Sequence, residues 1–222
     1  MKMEYLVLRI QGLMMSFGEG DHWDVRGTNK FPTKSFIVGI IASGMGLSRS
    51  DSVKIRQLSK GISFACREDS SPVFLRDYHT ILDTMKADGK QNKNAVVSPR
   101  HYLADGSYTV LVGLKNTDLK NTIIQAFSDP VWPPYLGRKS CIPSIPLFSG
   151  ETLRADNDYE AFKLVSPISV NEDKVYSCIG ESSLGRMSYV KDEIMSLEPR
   201  IYKDRKVYYY SLSSNEITKQ EA

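Results

Sequence analysis

Cysteine, histidine and long apolar runs are all scarce in this chain of 222 residues. The three cysteines, Cys66, Cys141 and Cys178, stand far apart with no C-x-x-C pair. That spacing offers neither a zinc site nor a disulfide framework, and an odd, sparse set of thiols fits a reducing, cytoplasmic setting. The three histidines, His22, His79 and His101, have no histidine or cysteine partner at the short spacings of a local metal site. There is no G-x-S-x-G elbow, no standard phosphate loop and no D-x-D-x-D calcium loop. The apolar run Phe36–Leu47 is too short to cross a bilayer, and the N-terminal run is interrupted by Arg9 and Gln11, unlike a signal peptide. No metal, cofactor or membrane is therefore expected.

What is present is an ordinary globular composition, enough chain for one large domain or two small ones, and a formal net charge of +3. Such a mild excess of cations serves nucleic-acid binding only if it is clustered. Tyr5–Arg9 reads as a buried strand ended by Gly12. Thr33 or Ser35 can cap an apolar helix, and Ser50 or Asp51 a shorter one reaching Lys60. Gly61–Arg67 alternates at period two. Val73–Thr80 reads as extended, Asp83–Arg100 as a mobile, charged insertion, and Ser107–Leu114 as the clearest strand. Leu119, Ile123, Ile124 and Phe127 have helical spacing, and a final strand is expected near Ser144–Phe148. The order βαββαβ predicts an α+β, ferredoxin-like domain over residues 1–150. Residues 151–222 change to short, tyrosine-rich, β-like runs and are expected to form a smaller β-rich lobe.

Three segments carry candidate chemistry. In the first, Asn29–Ser35 is a basic, proline-marked turn that opens the helix holding Gly39, Gly44 and Gly46. A helix N-terminus attracts anions, and Lys30 and Lys34 beside it are expected to touch phosphate. Glycine costs about 1 kcal/mol against alanine inside a helix, so these three imply close approach, either of the domain's own sheet or of a partner. In the second, Tyr135–Ser140, a glycine sits beside two cations and a hydroxyl, which suits a phosphate backbone as well as it suits a solvated turn. The third, Arg200–Tyr210, alternates tyrosine with Lys/Arg. It reads first as an ordinary exposed strand and second as a stacking surface. Trp23 and Trp132 read as core or interface anchors. His79 and His101 flank the insertion, where they would have to meet in space to act as an acid–base pair.

The motifs Asn29–Ser35 with Gly39 and Gly46-Leu47, then Leu75–Thr80, Pro134–Cys141 and Pro146–Phe148 occur here in one order. In that order they resemble the CasD family, the RAMP-type subunit of the type I-E CRISPR complex Cascade. The resemblance covers nearly all of residues 1–150. It implies an RRM-related, ferredoxin-like (RAMP) domain whose thumb insertion lies near residues 80–105. It implies a non-catalytic role in antiviral defence: holding the 5′ handle of the CRISPR RNA and capping the backbone filament. The thumb would reach a backbone subunit, the large subunit would be a neighbour, and target DNA would be met only through the complex. The residues expected on the RNA are Arg26, Lys30, Thr33, Lys34, Ser35, Arg76, His79, Tyr135, Gly137, Arg138, Lys139 and Ser140. The alternative is a metal-independent endoribonuclease acting on CRISPR repeat RNA through His79 or His101 with a lysine. Relatives in type I-C complexes cut precursor RNA with a tyrosine, lysine and histidine set, which no motif here matches.

Overall fold

A computed structural model describes residues 2–18, 25–169 and 173–218. His22 and Trp23 lie outside the described residues. In chain order the elements are β1 (Met3–Gln11), β2 (Met14–Met15), α1 (Lys34–Gly44), α2 (Ser52–Gly61), β3 (Ile62–Ser70), β4 (Val73–Ile81) and β5 (Val96–Ala104). Then follow β6 (Ser107–Leu114), α3 (Leu119–Ser128), β7 (Phe148–Ala155), α4 (Asp158–Lys163), β8 (Val175–Gly180), β9 (Arg186–Leu197) and β10 (Arg200–Ser213).

Four strands in the order β7-β1-β6-β3 build the core sheet, each antiparallel to its neighbour. With α1 and α2 between β1 and β3, and α3 between β6 and β7, this is the ferredoxin-like βαββαβ arrangement. Period-two alternation gives each strand two apolar faces. Leu6, Leu8 and Ile10 of β1 and Val110 and Val112 of β6 pack in the core that contains Ile37 and Ile41 of α1. Tyr5, Val7, Ala65 and Leu111 face the other way, onto Phe162 and Val165. The last strand of the unit begins at Phe148, where the sequence predicts it to end. Pro143 and Pro146 remove the amides a ladder would need. Residues 144–147 instead make single bonds with β1, from the Ser144 amide to the Gln11 carbonyl and from the Arg9 amide to the Leu147 carbonyl, both 2.8 Å.

The β-rich segment after residue 150 extends the same sheet. β7 pairs with β1 at one edge, and β8, β10 and β9 continue outward from β3. Its α4 and the chain that follows cover the face opposite the main helices, and a buried polar knot fixes them there. Arg67, fully buried, donates to Asp69 Oδ1 (2.7 Å) and to the carbonyls of Phe162 (3.0 Å) and Val165 (2.9 Å). The other Asp69 oxygen accepts from the Thr109 hydroxyl (2.5 Å) and the Ile168 amide (2.9 Å). The sheet face that carries RNA in an RRM is here closed by the chain itself.

The thumb is a separate sheet in the order β2-β5-β4. The segment expected as a mobile insertion, Asp83–Arg100, ends in a strand, its last five residues belonging to β5. β5 starts at Val96, and a bridge between Met85 and Gln91 closes the hairpin tip. The polar, glycine-bearing tip hides the strand start, but Ser98, Tyr102 and Leu103 are buried at β5 positions against the domain.

Candidate nucleic-acid interface

The turn before α1 is anchored by aromatic packing. Phe31 lies edge-on to Tyr108 and Tyr209, with centroids 6.1 and 6.2 Å away, and the Tyr108 hydroxyl donates to the Lys30 carbonyl (2.7 Å). Thr33 caps the helix by accepting from the Phe36 amide (3.2 Å), and its hydroxyl also meets that of Ser35 (3.1 Å). The anion at this N-terminus is the protein's own. Asp192 of β9 accepts from the Lys34 amide (2.8 Å) and forms a two-pronged pair with Arg205 of β10, 2.9 Å in each arm.

Lys34 itself turns inward and is buried, its ammonium 2.9 Å from Glu193 and 4.0 Å from Glu181. This corrects the expectation that Lys34 meets phosphate. Burial alone would push the Glu193 carboxyl up, but the Lys34 ammonium bonded to it holds it below the ordinary carboxylate value. Lys30 pairs with Glu68 at 2.9 Å while remaining more than half exposed.

The loop Tyr135–Ser140 folds against the segment after β2. The Ser16 amide donates to the Leu136 carbonyl (3.0 Å). Gly137 has φ +89°, and a Cβ built on it would overlap the Ser16 carbonyl, so its glycine is required by internal packing. Arg138 donates to the carbonyls of Arg26 (2.9 Å) and Gly27 (3.4 Å), and its guanidinium lies 4.3 Å over the Tyr102 ring. Arg26, Lys139 and Ser140 are exposed.

Between α1, this loop and the β9–β10 ribbon runs a groove of about 1270 Å³, larger than the usual small-molecule cleft of roughly 300–1000 Å³. Of the residues expected on RNA, it gathers Thr33, Ser35, Tyr135 and Gly137. It adds Phe36, Trp132, Tyr189, Tyr202 and Tyr209, so with Tyr135 six aromatic residues line it. Three cations, Arg49, Lys191 and Arg200, also line it. Among the described residues none of the three is ion-paired, and no carboxylate lines the groove. Trp132, read from sequence as a core or interface anchor, is 46 % exposed on this wall.

Gly39 has no atom within 4 Å of the position its Cβ would take, and it faces the groove. Gly44 and Gly46 differ from it. A Cβ on Gly44 would overlap the Ala126 carbonyl of α3, and Gly46 has φ +73° just beyond the helix. Close packing thus explains Gly44, and that packing is on the helix α3 and not on the domain's own sheet.

The thumb candidates separate. In the β4–β5 register Arg76 lies opposite His101, and His79 opposite Ser98. Alternation puts Arg76 and His101 on one face and Asp77 and His79 on the other. His101 packs on Phe74 with centroids 5.0 Å apart, while His79 Nδ1 lies 3.9 Å from Asp77. His79 and His101 therefore do not form an acid–base pair, and Arg76 and His79 do not share one surface. The cysteines are buried thiols, and burial pushes Cys66 and Cys141 above the ordinary thiol value, away from nucleophilic chemistry.

Sequence reasoning missed Arg49, Lys191, Arg200 and Tyr189. Arg200 lay inside the tyrosine–cation alternation, where the pattern of an exposed strand masked it. Lys191 and Tyr189 reach the groove only because β9 folds across α1, a contact between positions more than 140 residues apart, and no local signal marks that.

A family model described as CRISPR-associated protein (Cas5) matches residues 5–185. The CRISPR system Cascade subunit CasD of Escherichia coli (strain K12) is 31 % identical over 215 residues, covering 92 % of this chain and 94 % of the relative. A chain of a solved CRISPR RNA-guided surveillance complex superposes with a TM-score of 0.77 at 29 % identity, covering 94 % of this chain and 90 % of that one. A second solved chain, described as a Cas protein, gives a TM-score of 0.74 at 24 % identity over 96 % of this chain and 97 % of its own. That second likeness bears on the fold.

Proposed function

This chain belongs to the CRISPR-associated Cas5 family, and from that premise we propose that it is the CasD-type subunit of an RNA-guided surveillance complex. It serves antiviral defence without catalysis of its own, holding the 5′ handle of the CRISPR RNA in the α1–β9–β10 groove. The thumb hairpin reaches a backbone subunit, the large subunit of the complex is a neighbour, and target DNA is engaged through the assembly in the cytoplasm.

The observation that carries this reading is the lining of the groove: unpaired Arg49, Lys191 and Arg200 among aromatic rings, with no carboxylate among the described lining residues. Single-stranded RNA is held where cations meet phosphates and flat side chains meet bases. The closed opposite face of the sheet, sealed by Arg67 and Asp69, supports this path over an RRM-like one. Within the groove the residues on the RNA are Ser35, Tyr135, Arg49, Lys191 and Arg200, with Lys139 and Ser140 exposed on the loop beside it. Thr33 and Gly137 contribute backbone and shape.

The test is to assemble the complex with a Lys191→Gln/Arg200→Gln variant and measure the guide RNA it retains. Loss of two phosphate contacts should lower retention roughly tenfold at physiological salt. Undiminished RNA would overturn the groove assignment. Specific cleavage of repeat RNA by the full chain in EDTA would overturn the non-catalytic role.

A further inference from the structure

Buried guanidinium nitrogens at the base of the thumb have no partner. Arg100 Nε and Arg138 Nη1 are both inaccessible to solvent and make no hydrogen bond. A buried donor left unmade is costly, and native folds rarely keep one without a use. We infer that Arg26, Arg100 and Arg138 together seat one phosphodiester of the bound RNA, outside the groove and at its thumb end. This rests on the groove being the RNA path.

The placement comes from three elements. On β5, Arg100 and Tyr102 point to one face, two residues apart. Arg138 lies 4.3 Å over the Tyr102 ring and so sits on that same face, beside Arg100. Arg26 is the bridge partner of Arg100, held by its amide to the Pro99 carbonyl (2.9 Å) and by its carbonyl to the His101 amide (2.8 Å). Three permanent cations thus converge from the turn before α1, from the thumb and from the loop after α3. Asp77 lies across the ladder from Arg100, but its carboxylate sits beside His79, 3.9 Å away. Among the described residues no carboxylate comes within 4.0 Å of any of the three arginines.

Convergent guanidinium groups without a counter-ion repel one another and favour a bound anion. Their planar forks match two oxygens of a phosphate. The site adjoins the groove through the chain itself, since Gly137 and Asn29 line the groove and Arg138 and Arg26 follow and precede them by one and three residues. A strand leaving the groove past Gly137 therefore crosses Arg138 next. Arg100 had no sequence signal, because it closes what reads as a mobile insertion.

The test uses the assembled complex and a synthetic single-stranded RNA of the guide's handle sequence, with binding followed between about 50 and 200 mM salt. Arg138 is left intact because it also holds the Arg26 and Gly27 carbonyls. Arg100→Gln should weaken binding several-fold and flatten the slope of log affinity against log salt by about 0.7, the share of one phosphate on a single strand. Arg100→Lys should keep the slope. A scan with single neutral methylphosphonate linkages should find one position that weakens the native complex and has no effect on Arg100→Gln. If Lys191→Gln loses affinity while Arg100→Gln keeps both affinity and slope, the seat is wrong and the groove stands. If both variants bind as the native chain does, the groove reading falls and the seat with it.

Discussion

The N-terminus of α1 and the base of the thumb are both basic, and each holds a glycine- or proline-marked turn that in sequence looks like a phosphate site, Asn29–Ser35 at the first and Tyr135–Ser140 at the second. Their surroundings differ. At α1 the carboxylates of Asp192, Glu193 and Glu181 take up the helix amide, Lys34 and Arg205. At the thumb base, Arg26, Arg100 and Arg138 have no carboxylate within pairing distance among the described residues. The first cluster holds β9 and β10 to the helical layer. The second is left with its charge unspent. A cation's presence in a motif therefore says little until the chain that folds over it is known, because its counter-ion can lie 159 residues away, as Glu193 does from Lys34.

The sharpest way to break the comparison is to empty the first cluster. Asp192→Ala leaves Arg205 buried without its two-pronged partner and strips the α1 amide of its acceptor. Removing one member of a buried pair costs about 3–5 kcal/mol, and thermal melting should fall by roughly 6–20 °C for a chain of this size. A melting point within 2 °C of the native one would mean the network does not clamp the ribbon. Lys34→Ala should cost somewhat less, about 2–3 kcal/mol, because Glu193 keeps part of its contact with water. RNA retention by the folded complex should be unchanged, and a loss of RNA at unchanged stability would return Lys34 to the interface. The pH dependence has a definite sign. The folded Glu193 carboxyl lies below its unfolded value, so its contribution is present above about pH 4.3 and is lost as the pH falls through the folded value. Lys34→Ala should therefore move acid unfolding to higher pH.

Much of the fold is legible because it is local. β1 and β6 announce themselves as short apolar runs and β3 by alternation, α1 by its Thr33 cap and apolar run, and the βαββαβ order follows from their sequence. The last strand is misplaced by a few residues because Pro143 and Pro146 shift the ladder beyond them. The site is less legible because it is built between distant segments. Thr33, Ser35, Tyr135 and Gly137 line the groove, yet the cations on its walls come from β9, β10 and the turn before α2. The glycine of Tyr135–Ser140 signals close approach correctly, but what approaches is the Ser16 carbonyl. Arg76 and His79 share a motif, and strand alternation sends them to opposite faces.

The groove sharpens the comparison from the other side, since its groups carry little of the fold. Tyr189 is 62 % exposed on β9. Tyr189→Ala should change stability by no more than about 0.5 kcal/mol and weaken RNA binding by about 1–3 kcal/mol, the value of one base stacked on a ring. Equal losses in melting and binding would show that this wall, like the α1 terminus, is structural.

The smallest effect separates the two regions within one helix. Gly39 costs α1 about 0.5–1 kcal/mol relative to alanine, and nothing in the domain requires it, for its Cβ position is open to the groove. Gly44, five residues on, faces the Ala126 carbonyl and has no room. Gly39→Ala should therefore raise stability by about that amount, measured by chemical denaturation, whereas Gly44→Ala should lower it. A leucine at Gly39 would keep the helix but push a branched side chain into the groove, and RNA retention should drop. If Gly39→Leu binds RNA as the native complex does, the strand does not lie along α1. The path would then have to be drawn from the thumb-base arginines alone.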